Sequence, residues 1–243
     1  MSGCGRKLGP YNCCEVYCCD CLEAMKSLPS GCVDAVITDP PYNVGKDYGV
    51  HNDSMPPGEY ETWMESVSLE CLRIAQNQAW IAPRYKLEKF MRWIPKSHLV
   101  VIRRSAAGPF REGWSDQFEI ALARGVPQKC MSDLWSDVRL KGEGYFFREE
   151  TFGHPGYTPQ PIMERFIDLL CIETVLDPFM GTGTTAVAAK KLGRHFLGFE
   201  ISEEYCRIAR ERIALVEAQP NLFEKKPEQL QLLRQTRKNE EMP

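Results

Sequence analysis

The sequence predicts an α/β protein with a mostly parallel sheet that carries helices on both faces. Strand-like and helix-like segments alternate along most of the 243 residues, which is the pattern of successive βαβ units. Some strand-like runs, such as Val33–Thr38, are apolar at nearly every position. Such runs indicate strands that are buried on both faces of the sheet.

The elements of the N-terminal half follow from apolar periodicity and from glycine and proline breaks. In chain order we expect a strand over 15–19, a short helix that ends before Pro29, a strand over 33–38, a loop over 43–58, a helix over 59–76, and strands over 79–82 and 99–102. We assign three tryptophans to the core or its edge: Trp63, Trp80 and Trp93.

The second half of the chain continues the alternation after an irregular segment, 103–150, that contains one strand-like run. We expect that run over 118–123, a helix opening at GHPGYTPQP (153–161), a strand over 174–176, a helix to about 191, a strand over 194–200 and a helix over 203–217 capped by Ser202. Residues 218–243 are charged and rich in glutamine, so we expect a flexible tail after a domain that spans 14–217.

The composition is that of an ordinary globular protein, with 43% hydrophobic and 26% charged residues. Because there is no apolar run of membrane-spanning length and no signal-peptide core, we expect an intracellular, cytoplasmic protein. The net charge of −3 conceals a basic middle segment, since residues 84–148 contain 13 Lys or Arg and 7 Asp or Glu. Such a segment suits a partner that carries phosphates, although a solvated basic surface would give the same count.

Eleven cysteines raise the question of disulfides or a metal site. Six of them lie within the first 21 residues, but no repeated C-x-x-C-like spacing suggests zinc, and the four histidines are scattered. We therefore expect reduced thiols and no metal.

The first segment with unusual chemistry is TDPPYNVGKDY, residues 38–48, which follows the apolar run over 33–37. Two consecutive prolines remove backbone donors and stop the strand. The carbonyl groups just before them then lack a sheet partner, so DPPY is suited to presenting acceptors in a cleft. A simple strand-ending turn is the alternative.

The second such segment is DPFMGTGTT, residues 177–185, between a predicted strand and a predicted helix. Gly181 and Gly183 permit a tight turn and a close approach of the backbone to a ligand. The segment lacks the G-K-[ST] of a phosphate-binding loop. The next strand ends at Glu200, where an acid can hold ribose hydroxyls, so the pattern indicates a nucleoside site.

In this order, DPPY and DPFMGTGTT resemble the motifs of the beta class of DNA amino-methyltransferases, which use S-adenosylmethionine. The resemblance covers about residues 14–215. It implies a Rossmann-like methyltransferase fold with a seven-stranded, mostly parallel sheet and a circularly permuted motif order. It also implies double-stranded DNA as the substrate and S-adenosylmethionine as the cofactor.

The resemblance assigns the cofactor contacts by position. The glycine loop would hold the methionine part, Glu200 the ribose and Asp20 the adenine amino group, although Asp20 could equally be a helix N-cap. GHPGYTPQP matches the helix start of the family loosely, with Gln160 in place of the usual lysine. The implied cofactor residues are Asp20, Thr158, Gln160, Asp177, Pro178, Phe179, Gly181, Gly183, Thr184 and Glu200.

The resemblance places catalysis at Asp39, Pro40, Pro41 and Tyr42. The exocyclic amino nitrogen of a base is a poor nucleophile because its lone pair is conjugated into the ring. The Asp39 carboxylate and the Pro40 carbonyl can each accept one N–H hydrogen bond, which orients the lone pair and stabilises the developing positive charge. Tyr42 can stack on a base that has been flipped out of the duplex.

The implied target-recognition region is residues 103–150. The candidate DNA contacts are Arg103, Arg104 and Arg111, with Lys46 in the loop after DPPY. Surface salt bridges and an ordinary loop are equal alternatives for these residues. The region is short, which suits a short recognition site or a contribution from the second subunit of a homodimer.

The residues leave four functions open. Aspartate at the start of DPPY favours N6 of adenine, because the cytosine-N4 enzymes of the family more often carry serine there. The alternatives are cytosine N4, a DNA-binding protein that holds the cofactor without catalysis, and methylation of RNA or of a protein amide. A cognate restriction endonuclease, and a phage or bacterial origin, are compatible with the motifs but do not follow from them.

Overall fold

The computed structural model describes residues 4–45, 53–103, 118–130, 132–136 and 158–218. Its strands are β1 (Lys7–Leu8), β2 (Tyr11–Asn12), β3 (Glu15–Cys18), β4 (Ala35–Thr38), β5 (Asn77–Ala82), β6 (His98–Arg103), β7 (Phe118–Arg124), β8 (Leu134–Trp135), β9 (Thr174–Asp177) and β10 (His195–Glu200). Its helices are α1 (Cys21–Lys26), α2 (Pro57–Ile74), α3 (Leu87–Trp93), α4 (Gln160–Leu170), α5 (Thr184–Lys191) and α6 (Glu203–Ala218).

The described strands form one large sheet in the order β3-β10-β9-β4-β5-β7-β6-β8, and β1 and β2 form a separate hairpin. Pairing is parallel from β3 to β5 and antiparallel from β5 through β7 to β6. The expected mostly parallel α/β fold is therefore confirmed. Beyond the seven expected strands, the two-residue strand β8 pairs with the outer edge of β6.

Helices cover both faces of the sheet, as the side chains of β4 show. Ala35 and Ile37 point into a core formed with α4, α5 and α6, whereas Val36 points into a core formed with α1, α2 and α3. Successive strand residues face opposite sides, so a strand that is apolar throughout can be buried on both faces of the sheet. The continuous apolar run that predicted a buried strand has this physical basis.

Two elements of the middle region differ from the expectation. Strand β5 begins at Asn77, before the predicted start, because Gln78 is buried with its polar groups bonded. Its side-chain amide donates to the Cys71 and Ala75 carbonyls at 2.9 and 2.7 Å, and its oxygen accepts from the Trp80 indole at 3.0 Å. Helix α3 was not predicted, because it spans only seven residues and its sequence has little periodicity.

The segment 103–150 is not wholly peripheral, because β7 lies within the central sheet between β5 and β6. The folded part also extends to the N-terminal side of residue 14, since Leu8 of the hairpin is buried in the core. No helix among the described residues has the length and apolar character needed to span a membrane.

Candidate active site

Four neighbouring strands of the sheet place an acidic residue at the same edge. In the order β3, β10, β9 and β4, these residues are Asp20, Glu200, Asp177 and Asp39. The strands are parallel, so their carboxyl ends meet at this edge. Open α/β sheets bind ligands there. The structure thus brings the DPPY turn and the glycine loop together.

Asp177 connects the two motifs through a buried carboxylate that is 3% exposed. Its Oδ1 accepts from the Thr38 hydroxyl at 2.6 Å and the Phe179 amide at 3.0 Å, and its Oδ2 accepts from the Thr185 hydroxyl at 2.6 Å. Burial raises the pKa of the Asp177 carboxyl to about 6, although these three hydrogen bonds oppose the shift and the charge of Asp39 adds to it. Both oxygens face protein donors, so Asp177 fixes the relative position of the motifs.

In the DPPY turn, both carboxylate oxygens of Asp39 are hydrogen-bonded. Oδ1 accepts from the Tyr42 hydroxyl and Oδ2 accepts from the Thr158 hydroxyl. Thr158 is buried at the residue before the proline that caps α4. The sequence connected Thr158 with the cofactor, and the structure connects it with Asp39.

The carbonyl groups of the DPPY turn differ in their partners. The Pro41 carbonyl accepts from the Tyr60 hydroxyl at 2.8 Å, and the Tyr42 carbonyl accepts from the Lys86 ammonium group. Within the described part of the chain, no donor reaches the Pro40 carbonyl. The turn therefore keeps one acceptor free beside the Asp39 carboxylate.

The chain after the turn is held by Asp53, which is buried and was not singled out in the sequence. Its two carboxylate oxygens accept from the Asn43 and Val44 amides at 2.7 and 3.0 Å. Asn43 has a left-handed backbone, with φ of 53°, and its side-chain amide donates to the Met55 carbonyl at 2.8 Å. An acid surrounded by Asn, Ser and Met in a loop gives no periodic signal, so only the fold reveals this anchor.

The glycine loop is tied to Glu200 at the end of β10. Glu200 accepts from the Gly181 amide at 2.8 Å through Oε2 and from the Ser202 amide at 2.9 Å through Oε1. Each carboxylate oxygen has a second lone pair, so these bonds leave acceptor capacity at the half-exposed Glu200.

Gly183 begins α5 with φ of 88°, which confirms the tight turn. A Cβ atom on Gly183 would lie 2.8 Å from the Cβ atom of Ala209 on α6. The missing side chain thus makes room for a packed helix. Arg212 of α6 holds the same loop by donating to the Thr182 carbonyl at 2.5 Å.

Phe179 of the glycine loop contacts Trp63 of α2, with ring centroids 5.6 Å apart in an edge-on arrangement. Trp63 is half-buried and packs at the edge of the core, and Trp80 and Trp93 are buried, so all three agree with the assignment to the core or its edge. Trp63 also lines an open groove along α2 with Pro56, Glu59 and Thr62. An aromatic wall therefore borders the loop, which the sequence did not indicate.

A family model for DNA methylases, N6_N4_Mtase, matches residues 109–211. Two relatives with methylase names share the sequence over most of the chain. YubD of Escherichia coli (strain K12) is 29% identical over 213 residues, which are 82% of this chain and 89% of the relative. The type II methyltransferase M.HpaI of Haemophilus parainfluenzae is 26% identical over 241 residues, which are 82% and 74%. The chain is thus similar to N6-adenine/N4-cytosine DNA methylases over most of its length.

Solved structures show that the chain shares its fold with DNA methyltransferases. The M1.HpyAVI complex with SAM has a TM-score of 0.57 at 21% identity and covers 82% of this chain and 98% of its own. The PvuII DNA methyltransferase, named as cytosine-N4-specific, has a TM-score of 0.63 at 16% identity and covers 90% and 89%. The expected methyltransferase fold is confirmed.

The other site residues that were predicted from the sequence fall into three groups. Asp20 is exposed and caps α1, since its Oδ1 accepts from the Glu23 amide at 2.9 Å; Gln160 donates to Glu164 on its own helix at 2.5 Å. Pro178 and Thr184 are buried in the glycine loop, and Arg103 is exposed at the end of β6. Three DNA-contact candidates lie outside the described residues: Lys46, Arg104 and Arg111.

The contact between Gly183 and Ala209 predicts a stability effect. Gly183→Ala should lower the free energy of unfolding of the methylase by about 1–3 kcal/mol, because it adds both a steric overlap and a left-handed alanine. Ala209→Gly in the same chain should relieve the steric part only. Urea unfolding of the four chains of this double-mutant cycle measures the coupling. Purely additive effects would contradict the contact.

The raised pKa of Asp177 predicts a pH dependence of stability. Between pH 4 and 6 the folded methylase binds a proton at Asp177 that the unfolded chain has released, so this group stabilises the fold less as the pH rises. The unfolding free energy of the wild type, relative to Asp177→Asn, should fall by roughly 2 kcal/mol across this interval. Urea unfolding at several pH values tests this, and parallel curves for the two proteins would contradict it.

Proposed function

We propose that this chain transfers a methyl group from S-adenosylmethionine to the N6 amino nitrogen of a flipped-out adenine in double-stranded DNA. The match to the DNA methylase model and the similarity to relatives with methylase names support the reaction class. The observation that carries the proposal is the pair of acceptors at the DPPY turn. The Asp39 carboxylate is held by two hydroxyl groups, and the adjacent Pro40 carbonyl has no donor from the described residues.

Two such acceptors match the two N–H groups of an exocyclic amine. When Asp39 and Pro40 each accept one N–H, the nitrogen lone pair is directed away from both and the positive charge that develops on nitrogen is stabilised. A carboxylate oxygen has two lone pairs, so a hydrogen bond from a hydroxyl group does not by itself prevent Asp39 from accepting an N–H of the base. The hydroxyls of Tyr42 and Thr158 then fix the carboxylate before the base arrives, which lowers the cost of reorganisation.

The residues at the carboxyl edge fit S-adenosylmethionine. Glu200 and Asp20 end two neighbouring strands and can accept from ribose hydroxyls and from an adenine amino group, while Phe179 and Gly181 border the site. M1.HpyAVI, which shares this fold, is named as a SAM complex. When bound, the cofactor supplies an electrophilic sulfonium methyl, which the amino nitrogen attacks. The new N–CH3 bond replaces the S–CH3 bond, and the nitrogen then loses one proton.

Adenine is preferred to cytosine in this proposal because the first residue of the motif is Asp39. The fold does not distinguish adenine from cytosine as the target, since the PvuII enzyme, which is named as cytosine-N4-specific, has a similar fold. Cytosine N4 is therefore the second candidate. Both bases present an exocyclic amine, and the same pair of acceptors would serve either.

The proposed function is tested by incubating the purified chain with unmodified DNA and methyl-labelled S-adenosylmethionine, followed by mass spectrometry of the nucleosides. We expect label in N6-methyladenine. Label in N4-methylcytosine would instead identify cytosine N4 as the target. Parallel reactions with RNA and a protein substrate provide the comparison, and label in either of these but not in DNA would overturn the proposal.

Asp39→Ala should lower kcat for methyl transfer by at least about 100-fold, because it removes one of the two acceptors for the amino group. Its affinity for S-adenosylmethionine should change little. Equilibrium binding and single-turnover rates separate the two quantities. Glu211→Gln, which alters an exposed carboxylate on α6, is the control and should retain the wild-type rate. A near-normal rate for Asp39→Ala would refute the mechanism.

Thr158→Val should lower kcat by about 10- to 100-fold, since it removes a hydrogen bond to a charged carboxylate. KM for S-adenosylmethionine should be unchanged, and Thr158→Ser, which keeps the hydroxyl, should restore most of the rate. The opposite pattern, a raised KM at constant kcat, would show that Thr158 binds the cofactor and does not position Asp39.

A further inference from the structure

Three cysteines and one histidine converge at the amino-terminal edge of the sheet. The ligand atoms of Cys4, Cys13, Cys14 and His195 all lie within 4.8 Å of one another. The Cys13 and Cys14 sulfurs are 3.8 Å apart, and the Cys14 sulfur is 3.4 Å from the His195 Nδ1 atom. The sequence spacing does not reveal this group, because the histidine is 181 residues from Cys14.

The Cys13–Cys14 and Cys14–His195 distances are close to the edges of a tetrahedral metal site. Zinc bonds of about 2.3 Å to sulfur and about 2.0 Å to nitrogen give tetrahedral edges of about 3.8 Å between sulfurs and about 3.5 Å between sulfur and nitrogen. Three thiolates and one imidazole are also a ligand set that soft, tetrahedral zinc favours in structural sites. Carboxylates, which calcium and magnesium require, are absent from this group.

The backbone at Cys14 is shaped to bring two adjacent cysteines to one point. Successive side chains of an extended strand face opposite sides, which would separate the Cys13 and Cys14 sulfurs. Cys14 instead has a left-handed φ of 65°, an uncommon conformation for a residue other than glycine. Its amide still donates to the Phe196 carbonyl at 2.7 Å, so the distortion occurs where the chain enters the β3–β10 pairing.

The four residues connect the N-terminal hairpin to the sheet. Cys4 precedes β1, the two adjacent cysteines follow β2, and His195 is the first residue of β10. The ligands thus lie at the open end of a two-stranded hairpin of only two residues per strand. Such a hairpin is too short to be stable alone, although Arg6 also contacts Glu173 at 3.0 Å.

We propose that Cys4, Cys13, Cys14 and His195 bind one zinc ion that fixes the N-terminal hairpin to the amino-terminal edge of the sheet. The role is structural, because all four ligands come from the protein and leave no open position. His195 and Glu200 lie at opposite ends of β10, about 17 Å apart at 3.3 Å per residue. The ion is therefore separate from the methyl-transfer site and does not depend on the proposed function.

Metal analysis of the full chain, purified with reductant from zinc-supplemented cells, tests the proposal. We expect one zinc per chain by inductively coupled plasma mass spectrometry. Replacement by Co²⁺ should give the intense visible absorption of a tetrahedral thiolate site, and X-ray absorption should show three sulfur ligands and one nitrogen ligand. These measurements use the wild-type protein, so they remain decisive even if ligand variants fold poorly.

Variants then identify the ligands. Cys4→Ser and His195→Asn should lose most of the bound metal, whereas Cys130→Ser, which changes another exposed cysteine, should retain one equivalent. A chelator should lower the Tm of the wild type and of Cys130→Ser but not that of Cys4→Ser.

Three results would overturn the proposal. They are a folded wild type that binds neither zinc nor cobalt, a disulfide between two of the four residues in freshly purified protein, and equal metal loss in Cys130→Ser. Methyl transfer is measured in parallel. Because the two sites are separate, a negative result for zinc binding does not affect the test of methyl transfer, and the reverse also holds.

Discussion

The buried carboxylate of Asp177 is the constraint on which the geometry of the active edge depends. It accepts from Thr38, the residue immediately before Asp39 of the DPPY turn, and from Thr185 in the first turn of α5. The two motifs are far apart in sequence but lie on adjacent parallel strands. A carboxylate that is desolvated needs its hydrogen bonds, so separation of the two motifs would deprive a buried charge of the Thr38 hydrogen bond. The same group that weakens the fold when ionised therefore makes the relative position of the motifs specific.

The Thr158 hydroxyl holds Asp39 in the way that the Thr38 hydroxyl holds Asp177. Thr158 binds Asp39 from the start of α4, and α4 also packs against α5, which follows the glycine loop. Strands β4 and β9 and helices α4 and α5 thus support one small group of acceptors. Because α4 and α5 are packed in the same core, the carboxylate orientation is fixed by rigid elements. Rigid support of this kind is what transition-state stabilisation by fixed dipoles requires.

The sequence predicted the site better than it predicted the supporting contacts. DPPY and the glycine loop carry their own signals, because prolines and glycines impose local backbone geometry that any fold must respect. The continuous apolar sequence of β4, which is buried on both faces, likewise made that strand predictable. By contrast, the roles of Thr158, Asp53 and Gln78 depend on partners that are distant in sequence or placed in a loop, and no local pattern encodes them. The cluster around His195 shows this most clearly, since its four ligands come from both ends of the chain.

The charges at the carboxyl edge have a consequence for catalysis. Asp20, Asp39, Asp177 and Glu200 lie at the ends of four adjacent strands, and the donors that reach them from the described residues are hydroxyls and backbone amides, which carry no net charge. Neutral donors hold carboxylates in place without cancelling their field. A negative potential at this edge would favour a sulfonium cation and the positive charge that develops on an amino nitrogen, and it would oppose DNA phosphates. The basic segment 84–148 can offset that repulsion, since phosphate binding requires cations elsewhere on the surface. An acidic carboxyl edge and a basic middle segment are therefore what we expect of a protein that admits a neutral base to the cleft and keeps the DNA backbone outside it.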